Sequence, residues 1–281
     1  MRAIDTLHLG NPHAICCWEV DGILIDPGPE VTLPTVLAAL GEGFEPRAIL
    51  LTHIHLDHAA ATGRLVERWP DLEVYVHERG APHMIDPSKL LASAERLYGD
   101  EMGRLYGEFL PVPAANLTAL QGGETILGMD VAYTPGHASH HVSYLHRSTG
   151  VAFTGDVAGV LVPGTSLVLA PTPPPDIDIE VWYESLAKLE AWAPERLAIT
   201  HFGPIEDPPP HLEALREALA EEADLARRLS EPEYRADLAR RIEERSSGEE
   251  ERQALAQAAP LEYQYAGLER YWRKRDEREA A

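Results

Sequence analysis

Thr52-His53-Ile54-His55-Leu56-Asp57-His58 follows directly on the apolar run Ala48-Ile49-Leu50-Leu51. A short apolar run with turn signals on both sides suits a core strand. A turn leaving such a strand can aim several side chains at one point beyond its C-terminal end. Three imidazoles and a carboxylate gathered there would hold zinc, iron or manganese. An isolated histidine is more often a surface or hydrogen-bonded residue than a ligand. Packed together without a cation, however, these imidazoles would compete for few hydrogen-bond partners and depress one another's protonation. A metal resolves that conflict.

The pattern extends outward from this turn. Upstream, Leu24-Ile25-Asp26-Pro27-Gly28 reads as a strand ending in an aspartate and a glycine turn. Downstream lie Thr134-Pro135-Gly136-His137, Phe153-Thr154-Gly155-Asp156 and Ile199-Thr200-His201. With these five ordered segments, over residues 15–205, the chain resembles the metallo-β-lactamase superfamily of binuclear metal hydrolases. The resemblance implies that His53, His55 and His137 hold one metal and that Asp57, His58 and His201 hold a second. Asp156 bridges them and leaves a position for water or hydroxide. All seven expected ligands are present. The implied cofactor is a pair of divalent ions, zinc first, with iron and manganese as alternatives.

These residue types suit the chemistry. Neutral imidazoles bind a borderline metal without cancelling its charge, and a bridging carboxylate brings two cations to roughly 3.5–4 Å. Water held between them can lose its proton near pH 7 and attack a substrate carbonyl, with Asp57 orienting it or moving its proton. Asp26 has two readings: the resemblance places its carboxylate beneath the metal loop, where it would hold the loop or a ligand imidazole, whereas turn chemistry alone makes it a cap of the Asp-Pro-Gly turn. His141, four residues after His137, reads as a supporting residue rather than a ligand. His140 either reaches the pocket or sits on an exposed loop. His8, His13, His77, His83, His146 and His211 have no metal-like company.

Along the chain, Ala14–Val20 and Ile23–Ile25 flank Asp21-Gly22, a strong two-residue hairpin signal. A helix over Thr32–Leu40, the 48–51 strand, a helix over Ala59–Trp69 and a strand over Glu73–His77 follow. Strands are expected near Thr125–Leu127, Asp130–Thr134, Val142–His146, Val151–Phe153 and Arg196–Ile199. Two mixed halves sending ligands to one edge make an α/β fold, an αββα four-layer sandwich, over residues 1–207. Residues 81–113 carry apolar side chains at helical spacing from Ala94 to Phe109. They read as a helix packed on the core, with a cover over the metal cleft bearing Tyr98 or Tyr106 as the alternative. The proline-rich stretch from Pro163 to Ile179 reads as a stiff loop walling the site. Asp207-Pro208-Pro209-Pro210 reads as a rigid linker to a separate helical C-terminal region, 208–281. The aromatic face Tyr263, Tyr265, Leu268, Tyr271 and Trp272 is expected to pack on the metal domain, or else to form a homodimer contact.

Composition narrows the partners. The chain carries 24 basic and 46 acidic residues, a net charge of −22, which repels polyanions and slows their encounter. Nucleic acid is therefore disfavoured, and Arg270, Arg273, Lys274, Arg275 and Arg278 read as a solvated helix face. The two cysteines, Cys16 and Cys17, are adjacent in a strand and should point to opposite faces, so no disulfide framework is available. No apolar run is long enough to span a membrane, and the first residues lack a signal-peptide core; a cytoplasmic enzyme is expected. The resulting expectation is a metal-dependent hydrolase in which a metal-bridging hydroxide attacks a small thioester, lactone or other ester. Glyoxalase II-like relatives share the metal set and a C-terminal helical extension, but no basic cluster for a glutathione carboxylate is evident here. The alternatives are a phosphodiesterase or ribonuclease of the same superfamily and a mononuclear iron sulfur dioxygenase.

Overall fold

Residues 1–280 are described by a computed structural model. Twelve strands form two six-stranded sheets. The first sheet contains, in spatial order, β1 (Arg2–Asp5), β2 (Cys16–Val20), β3 (Ile23–Ile25), β4 (Ala48–Leu50), β5 (Glu73–His77) and β6 (Leu117–Leu120). Its first three strands are antiparallel, joined at β2–β3 by a hairpin whose Asp21 and Gly22 both have positive φ. That is the backbone an Asp-Gly turn supplies. From β3 onward the sheet is parallel, and each crossover is helical: α1 (Leu33–Leu40), then α2 (Leu56–Ala59) with α3 (Thr62–Arg68), then α4 (Ala81–Ile85), α5 (Ser88–Tyr98) and α6 (Met102–Tyr106).

The second sheet runs from β7 (Thr125–Ile126) through β8 (Met129–Tyr133), β9 (Val142–His146), β10 (Val151–Val160) and β11 (Arg196–His201) to β12 (Pro204–Ile205). It is antiparallel except where α7 (Ile179–Trp192) crosses from β10 to its parallel neighbour β11. The sheets face each other across a core of Trp18, Ile25, Leu50, Tyr144 and Phe153. Among the bonds that stitch them together, Trp18 Nε1 donates to the Ile199 carbonyl at 3.0 Å and Tyr144 Oη to that of Leu51 at 2.7 Å. Side-chain alternation puts Cys16 in this central core and Cys17 in the outer core under α1 and α3, as expected of neighbours on a strand. Helices cover both outer faces, giving the αββα sandwich.

Four further helices follow: α8 (Pro208–Arg228), α9 (Glu231–Arg245), α10 (Glu249–Ala258) and α11 (Leu261–Glu279). They share one continuous apolar cluster with α7 and the outer face of the second sheet, and Leu268 and Tyr271 are buried in it. The aromatic face thus packs on the sandwich. Gly267 of α11 crosses the proline-rich segment so closely that a Cβ would collide with the Thr172 carbonyl. Gln264 accepts from the Thr172 backbone N–H at 2.6 Å and from its hydroxyl at 2.9 Å. Pro208 to Pro210 are not a linker but the first turn of α8, where proline lacks only an N–H that has no helical partner anyway. The strand expected at Val151–Phe153 continues to Val160, so Gly155 and Asp156 lie within it. The helical run expected from Ala94 to Phe109 is broken at Gly99 and stops at Tyr106, before Gly107. Both glycines have positive φ, which ends a helix readily.

One group in the helical layer makes stability depend on pH. Glu222 on α8 is buried, with the Arg241 guanidinium no nearer than 4.0 Å. Burial, only partly offset by that charge, pushes its carboxyl up to about 8. The unfolded chain ionises Glu222 near the ordinary glutamate value while the folded chain keeps the proton. Stability from this group is therefore complete below about pH 4.5 and falls as pH rises towards 8, by about 1.4 kcal/mol per pH unit. Glu222→Gln should remove this decline, matching the parent near pH 4.5 and melting at a higher temperature at pH 9. Thermal unfolding across that range checks it, and parallel curves would refute the assignment.

Candidate metal centre

The site forms where β4 ends. Ala48, Ile49, Leu50 and Leu51 are fully buried, and the chain then turns through Thr52–His55 into α2, with Asp57 in its first turn and His58 beyond. Asp26, at the end of β3, governs this turn from below. Its backbone is left-handed (φ 49°), and its side chain is fully buried. Oδ1 accepts the Thr52 N–H at 2.8 Å. Oδ2 accepts the Thr52 hydroxyl at 2.6 Å and that of Thr200 at 3.2 Å, and lies 2.9 Å from His58 Nδ1. Asp26 therefore holds both the loop and one imidazole rather than merely capping a turn.

Other imidazoles are oriented in the same way. His137 Nδ1 lies 2.8 Å from the Pro171 carbonyl and His201 Nδ1 2.7 Å from that of Ala14. Each Nδ1–H must donate there, which leaves the Nε2 lone pair free to point inward. These Nε2 atoms converge on Asp156: His58 at 3.1 Å and His201 at 3.4 Å from Oδ1, and His137 at 3.4 Å from Oδ2. His201 Nε2 also lies 3.4 Å from Asp57 Oδ2, and His55 Nδ1 lies 3.0 Å from His137 Nε2. All seven residues singled out in the sequence meet at this point. Their donor atoms form three overlapping groups that could hold a cation: His53, His55 and His137; His53, His58 and Asp156; and Asp57, His58 and His201.

The donor set fits divalent metal ions. Nε2 of His53, His58 and His201 and Oδ1 of Asp156 are buried without a hydrogen-bond partner, an arrangement too costly to keep unless another group satisfies them. The electrostatics agree. Burial lowers His58 and His201, but the carboxylates around them raise both above the ordinary histidine value. The pocket thus draws positive charge. Burial and neighbouring imidazoles hold His53 well down and His55 at about 4, so both stay neutral and able to ligate.

His141 is enclosed, with Nδ1 3.0 Å from the Thr134 hydroxyl. Its ring abuts Gly155, where a Cβ would also collide with Thr52. It supports the centre and does not line the cavity. His140 does line it. The cavity, about 320 Å³, opens beside His55, Asp57 and Asp156. Its walls come from α5 and α6, the proline-rich segment, and Ala258, Pro260 and Tyr263 at the junction of α10 and α11. Tyr98 packs edge-on against Tyr106 and Tyr263, with centroids 5.0 Å away in each case. Residues 81–113 therefore do both things the sequence allowed: Ala94 and Tyr106 join the outer core, and the same helices cover the cleft.

The Pro171 and Ala14 carbonyls left no trace in the sequence, because any residue supplies a carbonyl. Tyr263 was legible only as a member of an aromatic face. In the basic patch, Arg270 and Lys274 donate to the Pro175 carbonyl and so brace the proline-rich segment, while Arg275 pairs with Glu180 in the first turn of α7. Among the described residues, no helix is long and apolar enough to cross a membrane.

The family model described as the metallo-beta-lactamase superfamily matches residues 19–201. The metallo-beta-lactamase fold-containing protein ST1585 of Sulfurisphaera tokodaii is 33% identical over 162 residues, 55% of this chain and 60% of that protein. The crystal structure of ST1585 superposes on 95% of this chain and 97% of its own with a TM-score of 0.70 at 24% identity, a likeness of fold that includes the C-terminal helices. A hydroxyacylglutathione hydrolase of Xylella fastidiosa is 34% identical over 137 residues, 48% of this chain and 40% of that enzyme. A protein designated TTHA1623, solved in a di-iron-bound form, is 30% identical over 68% of this chain and 89% of its own, with a TM-score of 0.51. The matches span 40% to 60% of the length of the first of these curated relatives. From the family model and the fold, this chain belongs to the metallo-beta-lactamase superfamily.

Proposed function

We propose that this chain is a binuclear metal-dependent hydrolase acting on a small carbonyl compound, a thioester, lactone or other ester. In this reading His53, His55 and His137 would hold one divalent cation, Asp57, His58 and His201 would hold a second, and Asp156 would be shared between them. The observation that carries it is the convergence of two three-residue donor groups on either side of one buried carboxylate, at the mouth of a cavity. When bound, the cations would supply Lewis acidity and make water nucleophilic near neutral pH. Asp57, facing the cavity side, takes the proton that water loses as its oxygen bonds to the carbonyl carbon. It returns that proton to the leaving sulfur or oxygen as the old bond breaks. The aromatic and proline walls exclude bulk water around the acyl group.

Zinc is the first candidate metal, and the di-iron relative keeps iron in the comparison. A net charge of −22 argues against polyanionic substrates. The deciding experiment is elemental analysis of the purified protein beside assays on a thioester, a lactone and a bis-aryl phosphodiester. Two equivalents of metal are expected, with the activated carbonyl compound hydrolysed faster than the phosphodiester. Phosphodiester cleavage alone would assign the chain to the nuclease branch. One equivalent of iron without hydrolysis would point to oxygen-dependent sulfur chemistry.

A further inference from the structure

Around the centre, His140 differs from every other imidazole. The seven proposed ligands include five histidines whose free nitrogens face one another or Asp156, and His141 is enclosed by Thr134, Thr52 and Gly155. His140 alone turns its Nδ1 to a backbone donor, the Ile54 N–H at 3.4 Å. A ring nitrogen that accepts an N–H carries no hydrogen, so the hydrogen of this imidazole must be on Nε2. Such a ring has no lone pair at Nε2 and cannot ligate there. His140 lines the cavity, with its ring centroid 5.6 Å from that of His55 and 6.1 Å from that of His53. The Ile54 N–H that fixes it belongs to the metal loop itself, between His53 and His55, so its position is tied to that of the centre.

We propose that His140 is a catalytic residue whose Nε2–H donates to the substrate carbonyl oxygen as that oxygen takes up negative charge. The inference rests on the hydrolase reading above. A fixed donor needs no reorganisation during the reaction, and in a site walled by tyrosine and proline its effect is larger than in water. The location suits the role: the donor stands beside the His53–His55–His137 group and on the wall of the cavity that Asp57 and Asp156 also line.

The test compares the parent, His140→Ala and His140→Gln, each loaded with metal, in two measurements. Hydrolysis of an aryl ester should fall by about 10²–10³-fold in His140→Ala, the range for loss of one such donor. The loss should lie in kcat with KM nearly unchanged, at an unaltered metal stoichiometry. His140→Gln, which keeps an N–H, should recover part of it. Phenylphosphonate, whose tetrahedral oxyanion mimics the attacked carbonyl, should bind the parent more tightly than His140→Ala, while benzoate should bind both alike. Full kcat and full phosphonate affinity in both variants would overturn the proposal. So would loss of a metal equivalent in His140→Gln, which would make the residue part of the centre. If the parent hydrolyses no ester, the hydrolase reading fails by itself, and the phosphonate measurement still decides whether Nε2–H is a donor to a bound oxyanion.

Discussion

Asp57→Ala should purify with one equivalent of metal fewer than the parent and lose roughly 10²–10⁴-fold in ester hydrolysis, the span associated with a positioned proton-transfer group. Asp57 shares a donor group with His58 and His201, and its Oδ2 lies 3.4 Å from His201 Nε2. It is also the more open of the two carboxylates in the cluster: its side chain is 26% exposed against 4% for Asp156. The residue that can meet water and substrate is therefore Asp57, and the one enclosed between the two donor groups is Asp156. His201→Ala should lose the same equivalent of metal, because Nε2 of His201 is the only contribution of β11 to that group. Metal content and turnover measured on the same preparations check both variants. Full turnover after either change would end the two-cation mechanism.

Asp26→Ala should unfold more easily by about 3–5 kcal/mol, the cost of removing one partner from a buried, charged hydrogen-bond network. It should also bind the second metal roughly 10–100-fold more weakly, as expected for loss of a group that orients a ligand. The change strands the Thr52 N–H and hydroxyl, the Thr200 hydroxyl and His58 Nδ1 in a site with no water access. Denaturation of the metal-free protein reads the first effect without the second, and metal titration reads the second. Asp26→Asn separates the roles further. One amide can accept from Thr52 but cannot also carry the charge that favours His58 Nδ1–H, so stability should recover more than metal affinity. A metal-free Asp26→Ala protein as stable as the parent would mean that the loop holds itself.

Much of the centre was legible because its ligands follow short apolar runs, where the chain pattern is strongest. An apolar run that stops at a His-x-His-x-Asp-His turn has few other uses, and Asp156 and His201 each end a recognisable apolar stretch. The helical region after residue 207 is visible in its periodicity, but its first turn is not. Three prolines in a row look like a linker, and only the path of α8 shows that they fill a first turn where no N–H is needed. The length of β10 was hidden because Gly155 and Asp156 do not look like strand residues. The positive φ of Gly155 and the register shift beside it let the strand continue while Asp156 turns into the site.

The candidate ligand types and the layered class of the fold are readable along the chain, because ligand chemistry and hydrophobic period are local properties. Only the tertiary structure decided what Asp26 holds, that residues 81–113 and the α10–α11 junction wall one cavity, and that His140 reaches it while His141 does not. Those facts depend on contacts between residues far apart in the chain, such as Asp26 with Thr200 and Tyr98 with Tyr263. They rest on backbone groups as well, including the carbonyls of Ala14 and Pro171 and the N–H of Ile54. Every residue carries such groups, so their partners are set by where the folded chain brings them and not by residue type.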